Sequence, residues 1–234
     1  MGCAEQQTKT AQEIIDKSIE VSQVNTLKNS IVSFDFRDYH YIAERNNGNF
    51  SLQRSKKDSL ANVVDILNND GFTRYINEDL VQVTDSMAMK YSESVNSVHY
   101  FSVLPLGLND TAVKKKKLED VTIKERNYHK IEVTFDQNGG GVDFEDVFIY
   151  WIDAETYKID FMAYLFHVNG GGVRFREIRK EQVIEGVRFL NYNNFKPIDP
   201  NIDIGSIDKA FINNQLKKIS EINLENIKII RRAI

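Results

Sequence analysis

The sequence predicts a mainly β, α+β fold: a curved antiparallel sheet or half-barrel, with an N-terminal helix and short helices over its concave side. Three observations predict it. Runs rich in Val, Ile, Phe and Tyr recur along the chain and only 3 of its 234 residues are Pro; β-branched and aromatic residues suit a pleated, half-buried surface. The segments between those runs are short and rich in Asn, Asp and Gly, the composition of hairpin turns. Parallel neighbours need crossovers of about a dozen residues or more, which the second half of the chain does not have.

The elements follow in order. Residues 1–10 read as a polar tether and 11–230 as a single β-rich domain. Ala11 to Ser22 has roughly helical periodicity, with Ala11, Ile14, Ile15, Ile19 and Val21 apolar. Ile31 to Ala43 reads as a strand with Val32, Phe34, Phe36, His40 and Ile42 on one face and Asp35, Arg37, Tyr39 and Tyr41 on the other. Asn47-Gly48 turns the chain into a return strand, Phe50 to Arg54. Further strands are expected at 63–67, 72–76 and 80–84. Ser94 to Leu104 reads as a helix with Val95, Val98, Phe101 and Leu104 near one stripe, ended by Pro105, because a residue before proline avoids the α region. A short helix from Asn109 or Asp110 to Leu118 follows. Residues 128–136, 144–152, 158–168, 173–184 and 187–195 read as five strands of an antiparallel meander, then a last helix over 206–217 and a last strand over 219–230. The run Phe148-Ile149-Tyr150-Trp151-Ile152 is apolar on both faces, which places it centrally.

Composition removes several functions. The net charge of −4 speaks against a nucleic-acid binder, whose affinity rests on a basic surface. No apolar run of about 18 residues predicts a transmembrane helix. The single cysteine, Cys3, excludes an intrachain disulfide and a cysteine-cluster metal site. Gly2-Cys3 before a polar stretch has the form of a bacterial lipobox end whose leader is replaced by an initiator Met, which makes Cys3 the lipid-bearing residue. Two rival readings stand beside it: N-myristoylation at Gly2, although Gln6 occupies the usual Ser/Thr position, and an incidental thiol.

Several segments together resemble a known family. They are Ser33-Phe34-Asp35-Phe36-Arg37-Asp38, Val95-Asn96-Ser97-Val98, Leu104-Pro105 with Leu108-Asn109-Asp110, and Tyr128-His129-Lys130-Ile131-Glu132-Val133 with Gly139-Gly140-Gly141. Tyr150-Trp151-Ile152 and Gly170-Gly171-Gly172 with Arg174-Phe175-Arg176-Glu177 complete the set. They resemble a family of uncharacterised proteins and lipoproteins of Bacteroidetes, a domain of unknown function, from about residue 11 to 227. A looser, fold-level similarity is to periplasmic lipoprotein carriers of the LolA and LolB kind, where helices close a curved sheet over an apolar cavity; Val183 to Phe189 resembles a late hairpin of that fold. Neither resemblance offers a catalytic set. An aldolase label carried by relatives is discounted, since no repeated βα units or Schiff-base lysine context are present.

The resemblance implies an envelope location, a lipid anchor at Cys3 and an apolar or lipid-like ligand in the concave face. Phe34, Phe36, Val98, Phe101, Leu104, Trp151, Arg174 and Arg176 are the expected ligand-binding residues. Arg174 and Arg176 share a strand face at a spacing that suits a carboxylate or phosphate; cross-strand ion pairs are the competing use. Residues 94–108 are the expected lid. No catalytic residue, metal ligand or cofactor is assigned. His40, His99, His129 and His167 show no local zinc spacing. The glycine triplets join strand to strand, so they read as hairpins rather than phosphate cradles. Lys114 to Lys117 reads as a solvated face, with anionic headgroups as the sharper alternative. An enzyme whose cleft forms only in three dimensions, and a structural module of an envelope assembly, are the other function classes.

Overall fold

The computed structural model describes residues 9–57, 61–138, 144–167 and 170–232. Cys3 and the Gly139–Gly141 triplet lie outside them. The described residues gather into two compact units, the first within 1–21, 107–177 and 194–220 and the second within 22–106, 178–193 and 221–234.

Helix α1 (Ala11–Ser22) opens the chain where its periodicity places it. Ala11, Ile14, Ile15, Ser18, Ile19 and Ser22 are its buried stripe. Its start is a capping box: the Thr10 amide donates to Glu13 Oε2 (2.8 Å) and the Glu13 amide to Thr10 Oγ1 (3.2 Å). The Thr10 amide bond also holds the Glu13 carboxyl below its ordinary range.

The second unit carries a seven-stranded sheet, built from β1 (Asn29–Phe36), β2 (Tyr39–Asn46), β3 (Asn49–Lys57), β4 (Asn62–Asn68), β5 (Gly71–Ile76), β6 (Asp79–Val81) and the late strand β15 (Glu225–Arg231). The order is β15-β1-β2-β3-β4-β5-β6 and the pairs are antiparallel. The expected strand over 31–43 is two strands, folded back at Arg37-Asp38, where Arg37 takes φ 55°. The fold-back pairs Phe34 with Tyr41 and Phe36 with Tyr39. Tyr39 and Tyr41 therefore share the face of Phe34 rather than that of Asp35. Asn47-Gly48 turns as expected, both residues at positive φ.

Helix α2 (Asp85–Ser102) lies against β3, β4 and β5. It starts nine residues before the expected Ser94, with Asp85 in the first turn favourable to the helix dipole and Met, Ala and Lys following, all good helix formers. Its buried residues are Val95, His99 and Ser102, at i, i+4 and i+7. Val95 packs on Ala43, Leu52 and Leu67. Val98 and Phe101, expected on that stripe, are half-buried instead. Apolar residues alone suggested a stripe one position off, because the buried position is the polar His99.

The eight-stranded sheet runs β14-β13-β12-β11-β10-β9-β7 and is also antiparallel. Its strands are β7 (Val113–Lys117), β9 (Arg126–Phe135), β10 (Val147–Asp153), β11 (Ile159–Phe166), β12 (Gly172–Ile184), β13 (Val187–Pro197) and β14 (Leu216–Ile222), while β8 (Val121–Ile123) pairs β9 alone. The five meander strands are as expected; the helix over 109–118 is not. Residues 113–117 pair with β9, which offers their backbone a ladder that an isolated five-residue helix lacks. The four lysines sit on an edge strand, where charge discourages further pairing. Lys114 pairs with Asp136, Lys116 with Glu132 at 3.8 Å and Lys117 with Asp120 at 3.3 Å, while Lys115 donates to Gln12 at 3.0 Å.

In the first unit, helix α3 (Ile207–Ile212) covers one face of this sheet. It is shorter than the expected 206–217, whose last two residues begin β14, and the expected last strand over 219–230 is divided between β14 and β15, which lie in different sheets. Ile207 and Phe211 pack on Ile149, Trp151, Phe161 and Phe175. Beneath it Lys130 Nζ donates to Asp208 Oδ2 (2.9 Å) and to the Gly205 carbonyl (2.6 Å), and Trp151 Nε1 donates to the same Asp208 oxygen (3.3 Å). Both charged side chains are buried, at 6% and 2% exposure. Removing one partner of such a pair strands a buried charge. Asp208→Ala is therefore expected to lose about 3–5 kcal/mol in urea unfolding, and Lys130→Met with Asp208→Leu to regain most of it; equal losses in the single and double variants would assign the cost to packing instead.

Candidate functional site

Strand alternation gives the β9–β12 sheet two different faces. Trp151, fully buried, lies on the α3 face with Phe161 and Phe175. The other face carries a ladder of rings. Phe135 meets Phe148 edge-on at 5.7 Å, Phe148 stacks on Tyr164 at 5.7 Å, and Tyr164 tilts against Phe166 at 5.8 Å. Arg174 and Arg176 complete it. The Arg174 guanidinium lies 4.9 Å over the Phe166 ring and that of Arg176 5.0 Å over the Tyr164 ring, with Nη2 donating to the Tyr164 hydroxyl at 3.0 Å. Phe135, Tyr164, Phe166 and Arg174 are half-buried. Arg174 makes no ion pair among the described residues; its Nη1 donates to the Val173 carbonyl at 3.0 Å. Glu177, the nearest acid in sequence, points to the opposite face and accepts from Lys124 at 2.6 Å. Guanidiniums stacked on rings keep their N–H edges open to an anion while their planes remain apolar. Chemically, this face suits a chain of CH₂ groups ending in a polar or anionic head.

The α2 face of the second unit is the other concentration of chemistry. Phe34, fully buried, stacks on Tyr41 at 5.2 Å, and the His99 ring stands edge-on to both, at 5.7 and 5.4 Å. Phe36 tilts against Tyr41 at 6.4 Å, and Leu104 is buried just past α2. The register aligns Tyr41, Arg54, Asp65 and Arg74 across β2 to β5. Asp65 accepts from Arg54 (2.5 Å) and twice from Arg74 (2.7 and 3.0 Å), and Arg54 Nη1 donates to Ser94 on α2 (2.5 Å). Each arginine also faces a tyrosine ring, Arg74 at 3.4 Å from Tyr91 and Arg54 at 5.0 Å from Tyr39. Burial lifts the Tyr41 hydroxyl above its ordinary range and pushes the Arg45 guanidinium down to about 10. Of the eight expected ligand residues, Phe34, Phe36, Val98, Phe101 and Leu104 thus fall in the second unit and Trp151, Arg174 and Arg176 in the first. Arg45, Arg54, Asp65, Arg74 and His99 were not among them.

The histidines do not gather within either unit. His40 Nδ1 pairs with Asp35 at 2.6 Å on the face away from α2, so it and His99 are separated by the sheet. His129 pairs with Asp120 (3.0 Å) where β9 begins, and His167 with Asp146 (3.3 Å) past the far end of β11. Among the described residues no three His, Cys, Asp or Glu side chains are placed to hold a metal ion. A cleft of about 570 Å³ opens beside β7 and β9, lined by Asp110, Thr111, Ala112, Asp136, Gln137 and Asn138; its walls are mixed polar and apolar and include none of the eight expected residues.

With this geometry the fold can be compared with solved structures. A LolA superfamily protein of Nitrosomonas europaea aligns over 97% of this chain and 96% of its own, at TM-score 0.52 and 11% identity. A DUF1329 family protein of Desulfovibrio piger aligns over 94% and 93%, at TM-score 0.54 and 8% identity. The chain thus has a LolA-like fold of two open, curved antiparallel sheets. It belongs to a family of unknown function, DUF6503, whose sequence model matches residues 1–226. No curated protein matches it.

His99 gives this region a pH signature. Burial lowers its pKa to about 3, so it stays neutral in the fold. In the unfolded chain it protonates near 6.5, so below that pH the unfolded state binds more protons and stability falls as pH drops toward 3. Urea midpoints measured between pH 7 and 4.5 are expected to fall, and His99→Gln, which keeps a donor for the Gln53 carbonyl, is expected to flatten that slope. An unchanged slope in the variant would remove His99 as its source.

Proposed function

We propose that this chain is a bacterial envelope lipoprotein, anchored through a lipid on Cys3, that holds an apolar or lipid-like ligand against its curved β-sheet. The observation that carries the reading is the ring ladder Phe135–Phe148–Tyr164–Phe166 with Arg174 and Arg176 stacked on it. The Trp151 face, which serves as core, is also rich in rings, but α3 covers it and its central rings, Trp151, Phe161 and Phe175, are buried. Half-buried rings edged by a guanidinium without a carboxylate partner are instead suited to an amphiphile, the rings to its chain and Arg174 to its head. The LolA-like fold supports the reading, since a LolA superfamily protein and this chain share their architecture from end to end. Within the second unit, Phe34, Phe36, Val98, Phe101 and Leu104 are proposed by themselves as an apolar lining beside α2.

The test uses the full chain stripped of lipid and titrated with a fluorescent polyene fatty acid. Saturable binding at one probe per chain is expected, weakened about 10- to 30-fold by Phe166→Ala, the loss of one aromatic contact. Absence of saturable binding in the wild type would overturn the reading. For the anchor, metabolic labelling with palmitate in cells expressing the gene with its native start is expected to mark the protein, and Cys3→Ser to abolish the label; an equally labelled variant would rule Cys3 out.

A further inference from the structure

The ring ladder of the first unit has two unlike ends. At the β9 end stands Phe135, half-buried and apolar, edge-on to Phe148 at 5.7 Å. At the other end stand the arginines of β12. The register sets Phe166 opposite Gly172, Tyr164 opposite Arg174 and Met162 opposite Arg176. Each guanidinium leans to the next pair on its face, so that of Arg174 lies 4.9 Å over Phe166 and that of Arg176 5.0 Å over Tyr164. The two rings are 5.8 Å apart, which makes this a compact double stack. Gly172 allows it. A Cβ there would lie 3.4 Å from Arg174 Nη1 and 3.5 Å from the Phe166 ring, so the guanidinium takes the place beside Phe166 that a side chain would fill.

The two arginines are not equivalent. Arg176 is 7% exposed and commits Nη2 to the Tyr164 hydroxyl at 3.0 Å. Arg174 is half-buried, and its hydrogen bond among the described residues runs from Nη1 to the Val173 carbonyl, a neutral acceptor. The acids near it in sequence or register bond other groups: Glu177 accepts from Lys124 at 2.6 Å on the opposite face, and Asp146 pairs with His167 at 3.3 Å. A guanidinium carries five N–H donors in one plane. Stacking shields a face of that plane and leaves the donor edge accessible. Beside apolar rings, a bond from that edge to an anion is charge-assisted and stronger than one to a neutral head. Resting on the reading above that the ladder holds an apolar chain, we propose that its ligand has an oxyanion head, a carboxylate or a phosphate. Arg174 holds that head at the end where Phe166 pairs with Gly172, and the chain runs over the rings toward Phe135. Arg174 thus sets selectivity for head charge, and Phe135 is reached by long chains alone.

The experiment displaces a fluorescent polyene fatty acid from the delipidated full chain, using competitors below their micelle thresholds. Dodecanoate and dodecyl phosphate are expected to bind about 10- to 100-fold more tightly than dodecanol and dodecyltrimethylammonium, the effect of one charge-assisted hydrogen bond. Arg174→Gln is expected to remove that preference while dodecanol binds as before, and Arg174→Lys to keep part of it. The tighter of the two anions identifies the source, a free fatty acid or a phospholipid, and either order supports the oxyanion head. Phe135→Ala is expected to weaken hexadecanoate about 10-fold and leave octanoate unchanged, which also shows that the variant folds. Equal losses for the two chain lengths, or no loss, overturn the direction of the chain. Dodecanol binding as tightly as dodecanoate, or a preference that survives in Arg174→Gln, overturns the anionic head and leaves the apolar reading standing. Failure of the probe itself to bind overturns both.

Discussion

Strand β10 is buried on both faces, and much of the first unit answers that fact. Every residue from Phe148 to Asp153 is buried, so successive side chains, which point to opposite sides of a sheet, each demand cover. A large apolar side chain is worth about 1.5–3 kcal/mol when removed from water, so neither face can be left open. On one side the cover is α3, a helix of six residues, too short to hold its shape alone. It is held by what it touches: Phe211 in the cluster with Phe161, Phe175 and Phe195, and Asp208 clamped by Lys130 and Trp151. The buried ion pair thus fixes where a marginal helix lies. On the other side the sheet presents rings and stacked arginines, several of them half-exposed.

This asymmetry gives the two faces of one sheet different chemistry. The Trp151 face has its polar groups satisfied internally: the indole, the ammonium and the carboxylate bond to one another. The opposite face carries Arg174 without a carboxylate and aromatic surface that is only partly covered. In the second unit the same contrast occurs across β1 to β5. One side holds small closed pairs such as His40 with Asp35, whose carboxyl is kept low first by Asn226 and then by His40. The α2 side carries Arg54 and Arg74 closed on one shared carboxylate, Asp65, with Arg45 and a neutral His99 on the same side. Closed pairs stabilise; groups with unused hydrogen-bonding capacity are where a ligand gains most.

Much of this was legible in the chain, and the failures have physical causes. The meander strands 128–195, the Asn47-Gly48 turn and α1 follow from period and turn chemistry. The hairpin at Arg37-Asp38 did not, because its turn contains no Gly or Asn and the alternation of 31–43 reads smoothly through it. The consequence was large, since one reversal moved Tyr39 and Tyr41 to the other face. The strand at 114–117 is not legible because an isolated segment does not show its partner strand. Arg54, Asp65 and Arg74 were missed although a signal existed: once the turns at Asn47-Gly48 and Asn69-Asp70 fix the registers, these three fall on one row, beside Leu52, Leu67 and Phe72. His99 is hidden from an apolar-stripe reading because a buried polar residue stands on that stripe. A strand apolar on both faces does not say which face a given residue takes, so the side of Trp151, with α3, is not legible in its run.

The central claim is that the ring-and-arginine face of β9–β12 holds an apolar molecule, and native mass spectrometry of the gently purified full chain, followed by organic extraction, tests it most directly. The account predicts a stoichiometric added mass that extracts as a lipid or other apolar compound. A protein that runs at its bare mass, and still does so after incubation with an envelope lipid extract, would contradict it.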